Sequence, residues 1–532
     1  MIKYLLNRLL RGLISVIIVV AIVMILIYSL MDRELIFAQD PQYSKNTFNK
    51  AEIYKCTKWE GYGYIDYVTY SDYLAQLRAA GEIDEQTKSD ALKIAKNSNA
   101  ETHRSDNDPE IVKEYVEKFI TYYEGRGYTV QRLDFHKKTK QKAELYAYKD
   151  VPITTRLVKY FGGLFAVDNI HYVEKTTGEK LENTGIKFTL FDPVYNTNPD
   201  KKVFAPAIMG NGTRNKYLLY VDNVFPYVHQ NLVTINLGLS YSVNKDIDVF
   251  NTLADRQDPN SYRTVTFPTG LTEESPRNLH TAQYVQGSRN ATEINQSLFA
   301  DDYTDVRYFK RSFSKTGFSF IIGIISVFVS YLIGVPLGIL MARKKDKLVD
   351  KLGTIYIVFI IAVPSLAYIF LFRELGGMAG LPKSFSLEEA TWLMYVLPVI
   401  SLALPSIAGL MKWLRRYMID QLNSDYVKFA RSGGLSEGEI FTKHILKNAI
   451  IPIAHGIPAE LLGALVGAII TESIYRVPGA GYLLTDAIGR YDNGVIVGLT
   501  MFYAVLSIVS LIFGDILMSL IDPRISFTEK AR

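Results

Sequence analysis

The chain has 532 residues, a formal net charge of +5, a single cysteine and seven histidines, and 48% of its residues are apolar. That length allows more than one large domain, the small charge gives no bulk attraction to nucleic acid, and Cys56 alone excludes an intrachain disulfide or a cysteine-based metal cluster. The histidines lack metal-ligand spacing, so metal chemistry is not expected.

A mean hydropathy near zero conceals a mixture, because apolar residues crowd into the amino-terminal stretch and the region after 317, while 33–300 reads as soluble. A hydrocarbon core about 30 Å thick needs roughly 20 apolar helical residues. The first such stretch, about Leu13–Leu30, follows Lys3, Arg8 and Arg11. Its apolar core is longer than that of a signal peptide and no small-x-small cleavage site follows, so it reads as a retained anchor. Residues 1–31 therefore form one segment, and 32–305 follow as an inserted domain. Ile83–Ser98 and Asp108–Gly125 carry helical spacing, whereas Tyr128–Phe135, Ile186–Phe191 and Lys216–Val221 read as strands, giving an α+β domain rich in tyrosine.

Five further apolar stretches occupy 306–532: about Gly317–Met341, Leu352–Phe372, Thr391–Leu410, Ile453–Thr471 and Val495–Leu520. The expected fold class is thus an α-helical integral membrane protein with six transmembrane helices and a large α+β extracellular insertion between the first two. Lysines and arginines cluster at the amino terminus, at 343–347, at 412–447 and in the tail. In a six-span alternation these segments share one side, which the positive-inside rule makes cytoplasmic. Both termini are then inside and 32–305 outside.

Between spans four and five lies a loop, 425–452, too regular for a connector. Asp425–Arg431 reads as a short helix, Gly433-Gly434 as a turn that exploits positive φ, and Ser436 with Glu439 as a capping box opening a second helix to about Ala449. The resulting knuckle is expected to expose Phe429, Leu435, Ile440 and Phe441 for a partner. An ordinary helical hairpin is the competing reading. Gly434-x-Ser436-x-Gly438 also spells the hydrolase nucleophile elbow, but helix rather than strand precedes it, and no catalytic residue is assigned. No phosphate-binding G-x-x-x-x-G-K-[ST] loop occurs, so ATP chemistry must reside on other chains.

His455 and Glu460 open the fifth stretch and Asp515 lies in the sixth. Ionisable groups at membrane depth usually face a bundle interior or a wet cavity. Glu460 either lines a pathway, pairs with a cation of another subunit, or sits solvated near the interface. Gly463-x-x-x-Gly467 suits close helix approach. Glu472–Gly481, with Pro478, Gly479 and Gly481, reads as an irregular outer turn.

The loop Asp425-Tyr426-Val427, Ala430-Arg431, Gly434-Leu435-Ser436, His444, Leu446, Asn448-Ala449, Pro452 resembles the coupling loop of binding-protein-dependent ABC import permeases of the oligopeptide and dipeptide branch. Lys428-Phe429-Ala430 departs from the E-A-A of the general motif. The resemblance extends to Tyr4-Leu5-x-x-Arg8-Leu9-Leu10, to Glu472-x-Ile474-Tyr475-x-x-Pro478-Gly479-x-Gly481, and to Asp515 with Asp522-Pro523-Arg524. The insertion, with Lys216–Tyr220 and Val228–Asn231, resembles the long Ami-type permeases of Gram-positive cocci.

The resemblance implies a type I ABC importer fold and a subunit that is not itself an enzyme. It also implies a second permease subunit, two ATPase subunits that carry ATP and magnesium, and a lipid-anchored extracellular peptide-binding protein. Peptides would be the cargo, the site the plasma membrane of a Gram-positive bacterium. Asp425, Phe429, Ala430, Arg431, Gly434, Leu435, Ser436 and Glu439 would contact the ATPase. Glu472, Pro478, Gly479 and Gly481 would shape an outer gate. The chain itself would bind no cofactor.

Overall fold

Helical hydrogen bonding satisfies backbone groups within a segment, so long apolar runs in this sequence become helices and the polar insertion takes mixed structure. The computed structural model describes residues 2–167, 185–190, 207–211, 216–220, 233–243, 245–254, 262–266, 272–276, 315–386, 391–466 and 468–521. The chain divides into two compact units, Met24–Gly163 and the remainder, Met1–Val23 with Leu164–Arg532.

Helix α1 (Ile2–Leu30) opens the chain. Within Met24–Gly163 follow α2 (Asn49–Gly61), β1 (Ile65–Thr69), α3 (Tyr70–Ala79), α4 (Glu85–Ala91), α5 (Glu110–Glu124), β2 (Thr129–Leu133), β3 (Glu144–Asp150) and α6 (Ile153–Gly162). The strands form an antiparallel sheet of order β1-β3-β2. Val112, Val116, Phe119 and Ile120 on one face of α5 pack against Leu74, Val130, Leu145 and Ala147, as its period of three and four requires. Beneath them the Arg132 guanidinium donates to both oxygens of Asp108, at 2.8 and 3.0 Å. The helix expected over Ile83–Ser98 is shorter, Glu85–Ala91, and beyond it the Ala95 amide donates to Asp108 Oδ1 at 2.6 Å.

In the second unit, β4 (Phe165–Val167) pairs with β8 (Val233–Ile235), β5 (Gly185–Thr189), β6 (Ala207–Asn211) and β7 (Lys216–Tyr220) form an antiparallel sheet, and β9 (Tyr262–Thr266) pairs with β10 (Thr272–Pro276). Helix α7 (Val249–Ala254) precedes the apolar helices. These are α8 (Lys315–Arg343), α9 (Leu348–Ala362), α10 (Ser365–Met378), α11 (Leu393–Leu422), the short α12 (Asp425–Ser432), α13 (Glu437–Glu439), a π-helical stretch Ile440–Leu446, α14 (Lys447–Ala449), α15 (Ile451–Val466), α16 (Ile469–Tyr475), α17 (Ala480–Gly489) and α18 (Asn493–Ile521).

Among the described residues four helices are long and apolar enough to cross a membrane: Leu5–Leu30, Lys315–Arg343, Leu393–Leu422 and Asn493–Leu517. The stretch expected as the third span is α9 and α10, bent by 110°. The cause is Pro364: Val363 before it is extended, with ψ 129°, because proline disfavours helical geometry in the preceding residue. The fifth is likewise interrupted, as α15 and α16.

The tightest packing joins α8 and α11. A buried row of small residues on α8, from Ser319 and Gly323 through Ser326 and Ser330 to Gly334 and Gly338, removes the side chains that would hold the helices apart. A β-carbon at Gly334 would stand 3.0 Å from Leu410 Cβ, and one at Gly338 3.2 Å from Leu414 Cβ. Ser326 and Ser330 donate across the interface to the carbonyls of Val399 and Ala403, at 3.1 and 3.3 Å.

Candidate functional site

Two groups of residues carry chemistry in the second unit: the knuckle of 425–449, and a cavity bounded by α8, α11 and α15.

The knuckle is rigid for reasons visible in its backbone. Helix α12 ends in a Schellman arrangement, with the Leu435 amide donating to the Ala430 carbonyl and the Gly434 amide to that of Arg431, both at 3.2 Å. Gly434 takes φ +80°, which a β-carbon would disfavour, whereas Gly433 has an ordinary φ of −76°. Ser436 and Glu439 then form both halves of a capping box. Arg431 clamps the two arms, its Nε donating to Glu437 Oε1 at 2.6 Å and Nη2 to Oε2 at 3.2 Å. These contacts hold the Glu437 carboxyl below its usual range through Arg431, and the Glu439 carboxyl below its own through Ser436.

One side of the knuckle is anchored: Val427, Ile440, Ile445 and Ala449 pack with Leu410, Leu414 and Met418 of α11. The other is bare. Phe429 is 76% exposed and Leu435 40% exposed, with Asp425, Arg431, Gly434 and Ser436 also exposed and Ala430 and Glu439 half-buried between them. The apolar outer face is smaller than expected, since Ile440 is fully buried and Phe441 half-buried. The period of the second arm turns those residues toward α11, where burial stabilises them.

Glu472 is 1% exposed. Its Oε1 accepts from Ser319 Oγ at 2.7 Å and from the Ala468 amide at 3.1 Å, and its Oε2 from the Tyr482 amide at 3.1 Å. Ser319 Oγ in turn accepts from the Ala480 amide at 2.9 Å. Carboxylate and hydroxyl together satisfy the free amides of the first turn of α17, where the helix dipole favours a negative charge. The glycines of the Pro478-Gly479-x-Gly481 turn make room for this: a β-carbon at Gly479 would strike the Glu472 carboxylate, and one at Gly481 would lie 2.9 Å from the Ile469 amide nitrogen. Pro478, which precedes them, is half-buried.

Ser319, Gly323, Ser326, Ser406, Glu460 and Glu472 are among the residues that line a cavity of about 200 Å³. Glu460 Oε2 has no hydrogen-bond partner among the described residues. His455 lies on α15, its side chain outside the described residues, as are Gly467 and the Asp522-Pro523-Arg524 ending. None of the knuckle residues lines this cavity. No group of residues among those described could hold a metal ion.

Three features escaped sequence reasoning. Ser319 could have been found from the period of small residues along α8. Asp350 receives a bidentate pair from Arg415 at 2.5 and 2.7 Å, and the two are 65 positions apart, so no local pattern signals it. Asp492 is fully buried and accepts from Ser240 Oγ and the amides of Tyr241, Ser242 and Val243, at 2.7 to 2.9 Å. It thereby fastens part of the insertion to the start of α18. Arg8 and Asp515, from two of the motifs singled out in the sequence, form an ion pair.

The model of the family described as "Binding-protein-dependent transport system inner membrane component" matches residues 334–527. The oligopeptide transport system permease protein AmiC of Streptococcus pneumoniae is 34% identical over 532 residues, 99% of each chain. The dipeptide transport system permease protein DppB of Lactococcus lactis subsp. cremoris is 34% identical over 204 residues, 36% of this chain and 65% of its own. DppB of Bacillus subtilis is 30% identical over 215 residues, covering 40% and 68%.

Proposed function

The chain belongs to the family of binding-protein-dependent transport system inner membrane components, and from that premise we infer that it is the permease subunit of an ATP-driven importer of oligopeptides. It is a transporter subunit and not itself an enzyme. In this reading it crosses the plasma membrane six times with both termini in the cytoplasm, the bent α9–α10 and the interrupted α15–α16 each counting as one crossing. Residues 32–305 stand outside. A second, related permease completes the path, because six helices are few for a peptide-sized channel. Two ATPase subunits carry ATP and magnesium, and a lipid-anchored binding protein delivers the peptide at the outer face of a Gram-positive cell.

The observation that carries the coupling role is the bare outer face of the knuckle. A short helix with Phe429 exposed, stiffened by the Gly434 turn, the Arg431–Glu437 clamp and the Ser436 cap, has the form of a lever that seats in an ATPase cleft. Its anchored face would pass movement to α11. Asp425, Ala430, Leu435 and Glu439 complete the contact surface. Glu472, Pro478, Gly479 and Gly481 support the outer turn as a rigid element beside the gate, and His455 and Glu460 belong to the path through α15.

Gly434→Arg tests this directly: the subunit reaches the membrane in normal amount, but ATP-dependent peptide uptake falls to background. Cysteine cross-links from position 429 to the ATPase subunits form in the wild-type background. Normal uptake by the variant, with no cross-link under any nucleotide condition, would refute the coupling role.

A further inference from the structure

The cavity between α8, α11 and α15 has an uneven hydrogen-bonding inventory. Ser319 Oγ is committed, donating to Glu472 and accepting from Ala480. The Ser326 hydroxyl proton is directed to the carbonyls of Ile322 and Val399, so its oxygen faces the cavity with acceptor capacity only. Glu472 already accepts three hydrogen bonds. Glu460 is half-buried and lines the cavity, and its buried Oε2 is without a donor among the described residues. The Ser406 hydroxyl can turn either way. Among the described residues the lining therefore offers mainly acceptors and negative charge, with the Ser406 hydroxyl as its uncommitted donor.

A carboxyl oxygen held at membrane depth without a partner is costly. The group that answers this inventory is one with several N–H donors, positive charge and no acceptor, which describes an ammonium. The volume of about 200 Å³ is ample for several waters, and Gly323 and Ala468 are small residues of its lining. An α-ammonium is also the one cation that every unmodified linear peptide carries, whatever its sequence.

Resting on the permease reading above, we infer that this cavity holds the amino-terminal ammonium of a peptide in transit. Glu460 is its counter-ion, and Ser326 and Ser406 are its further acceptors. Recognition here is blind to peptide sequence but not to amino-terminal chemistry.

The test uses the complete transporter, with its partner subunits and binding protein, reconstituted in proteoliposomes. Initial uptake is measured for one linear peptide and its N-acetylated counterpart at saturating, peptide-loaded binding protein. The binding protein is the same for every variant, so a change in the free-to-acetylated ratio reports on the permease. Glu460→Gln is expected to lower that ratio about tenfold or more, as loss of a charge-assisted hydrogen bond implies. Ser406→Ala, which removes only a hydroxyl, lowers the ratio by about fivefold. If Glu460→Gln slows both peptides equally, the residue serves the fold or pairs with a fixed cation of the sister subunit, and the inference fails. An unchanged ratio also overturns it, as an inorganic cation site would predict. Failure of the wild-type complex to take up either peptide would instead remove the permease reading itself, and the inference with it.

Discussion

A carboxylate buried in a helical bundle persists only where donors converge on it, and Glu472 shows how the residues around such a group are chosen. Its oxygens take the Ser319 hydroxyl and the amides of Ala468 and Tyr482, and Gly479 is glycine because a side chain there would occupy the carboxylate's place. The E-x-I-Y-x-x-P-G-x-G pattern is therefore one physical unit, a glutamate returning to cap the helix that begins eight residues after it. Glu472→Ala should destabilise the turn by about 2–3 kcal/mol, since buried donors lose a charged acceptor. Hydrogen exchange at Ala480 and Tyr482 would then accelerate by at least about tenfold while α8 exchange elsewhere is unchanged. Unaltered exchange at those two amides would show that the cap is dispensable. The glycines are readable in sequence as a turn, but the reason for them is not, because the atoms they avoid, the Glu472 carboxylate at Gly479 and the Ile469 amide nitrogen at Gly481, belong to another helix.

At the scale of elements, the knuckle is the part whose local chemistry speaks most directly. Its turn, its cap and its two arms all follow from residues within a span of 25, Asp425–Ala449, so the sequence alone locates them. Only the sidedness differs, with Ile440 turned inward. Ser436→Ala removes the cap and should cost about 1 kcal/mol of local stability, read as faster exchange at the Glu439 amide. The pH dependence has a definite sign. The Glu439 carboxyl is held below its ordinary value by Ser436, so its contribution is complete above that value and lost as pH falls through the lowered one. Knuckle exchange, taken relative to the intrinsic amide exchange rate at each pH, should thus be flat at neutral pH and rise only on acidification below the ordinary carboxylate range, with Ser436→Ala blunting the rise. A rise at neutral pH would contradict the assignment. The α9–α10 element is the opposite case: hydropathy reads one straight span over Leu352–Phe372, and the Val363-Pro364 step bends it by 110°.

For the second unit as a whole, Asp492 lies at the contact between residues 237–253 and the helical bundle. Leu237, Val249 and Leu253 pack with Ala480, Leu483, Ala487, Val495 and Leu499, and the Asp492 carboxylate closes the same contact with hydrogen bonds from 240–243. Residues that hydropathy assigns to the soluble domain are therefore part of the second unit. Asp492→Ala leaves several buried donors unsatisfied, at a cost of about 2–3 kcal/mol or more. Exchange at Tyr241, Ser242 and Val243 should rise by roughly 30-fold, without change in the β1-β3-β2 sheet. Protection equal to wild type would exclude the latch. Taken alone, the sequence determined what depends on neighbours along the chain: the apolar runs, the helix–turn–helix knuckle, its glycine hinge and its cap. Tertiary structure alone decided which small residues of α8 meet α11, that Glu472 caps α17, that Asp350 finds Arg415, and that Glu460 faces a cavity. Apart from the Glu472 cap, whose amide partner is ten positions away, those pairings join residues dozens of positions apart, and a hydrogen bond or a close helix crossing leaves no periodic trace in the composition of either partner.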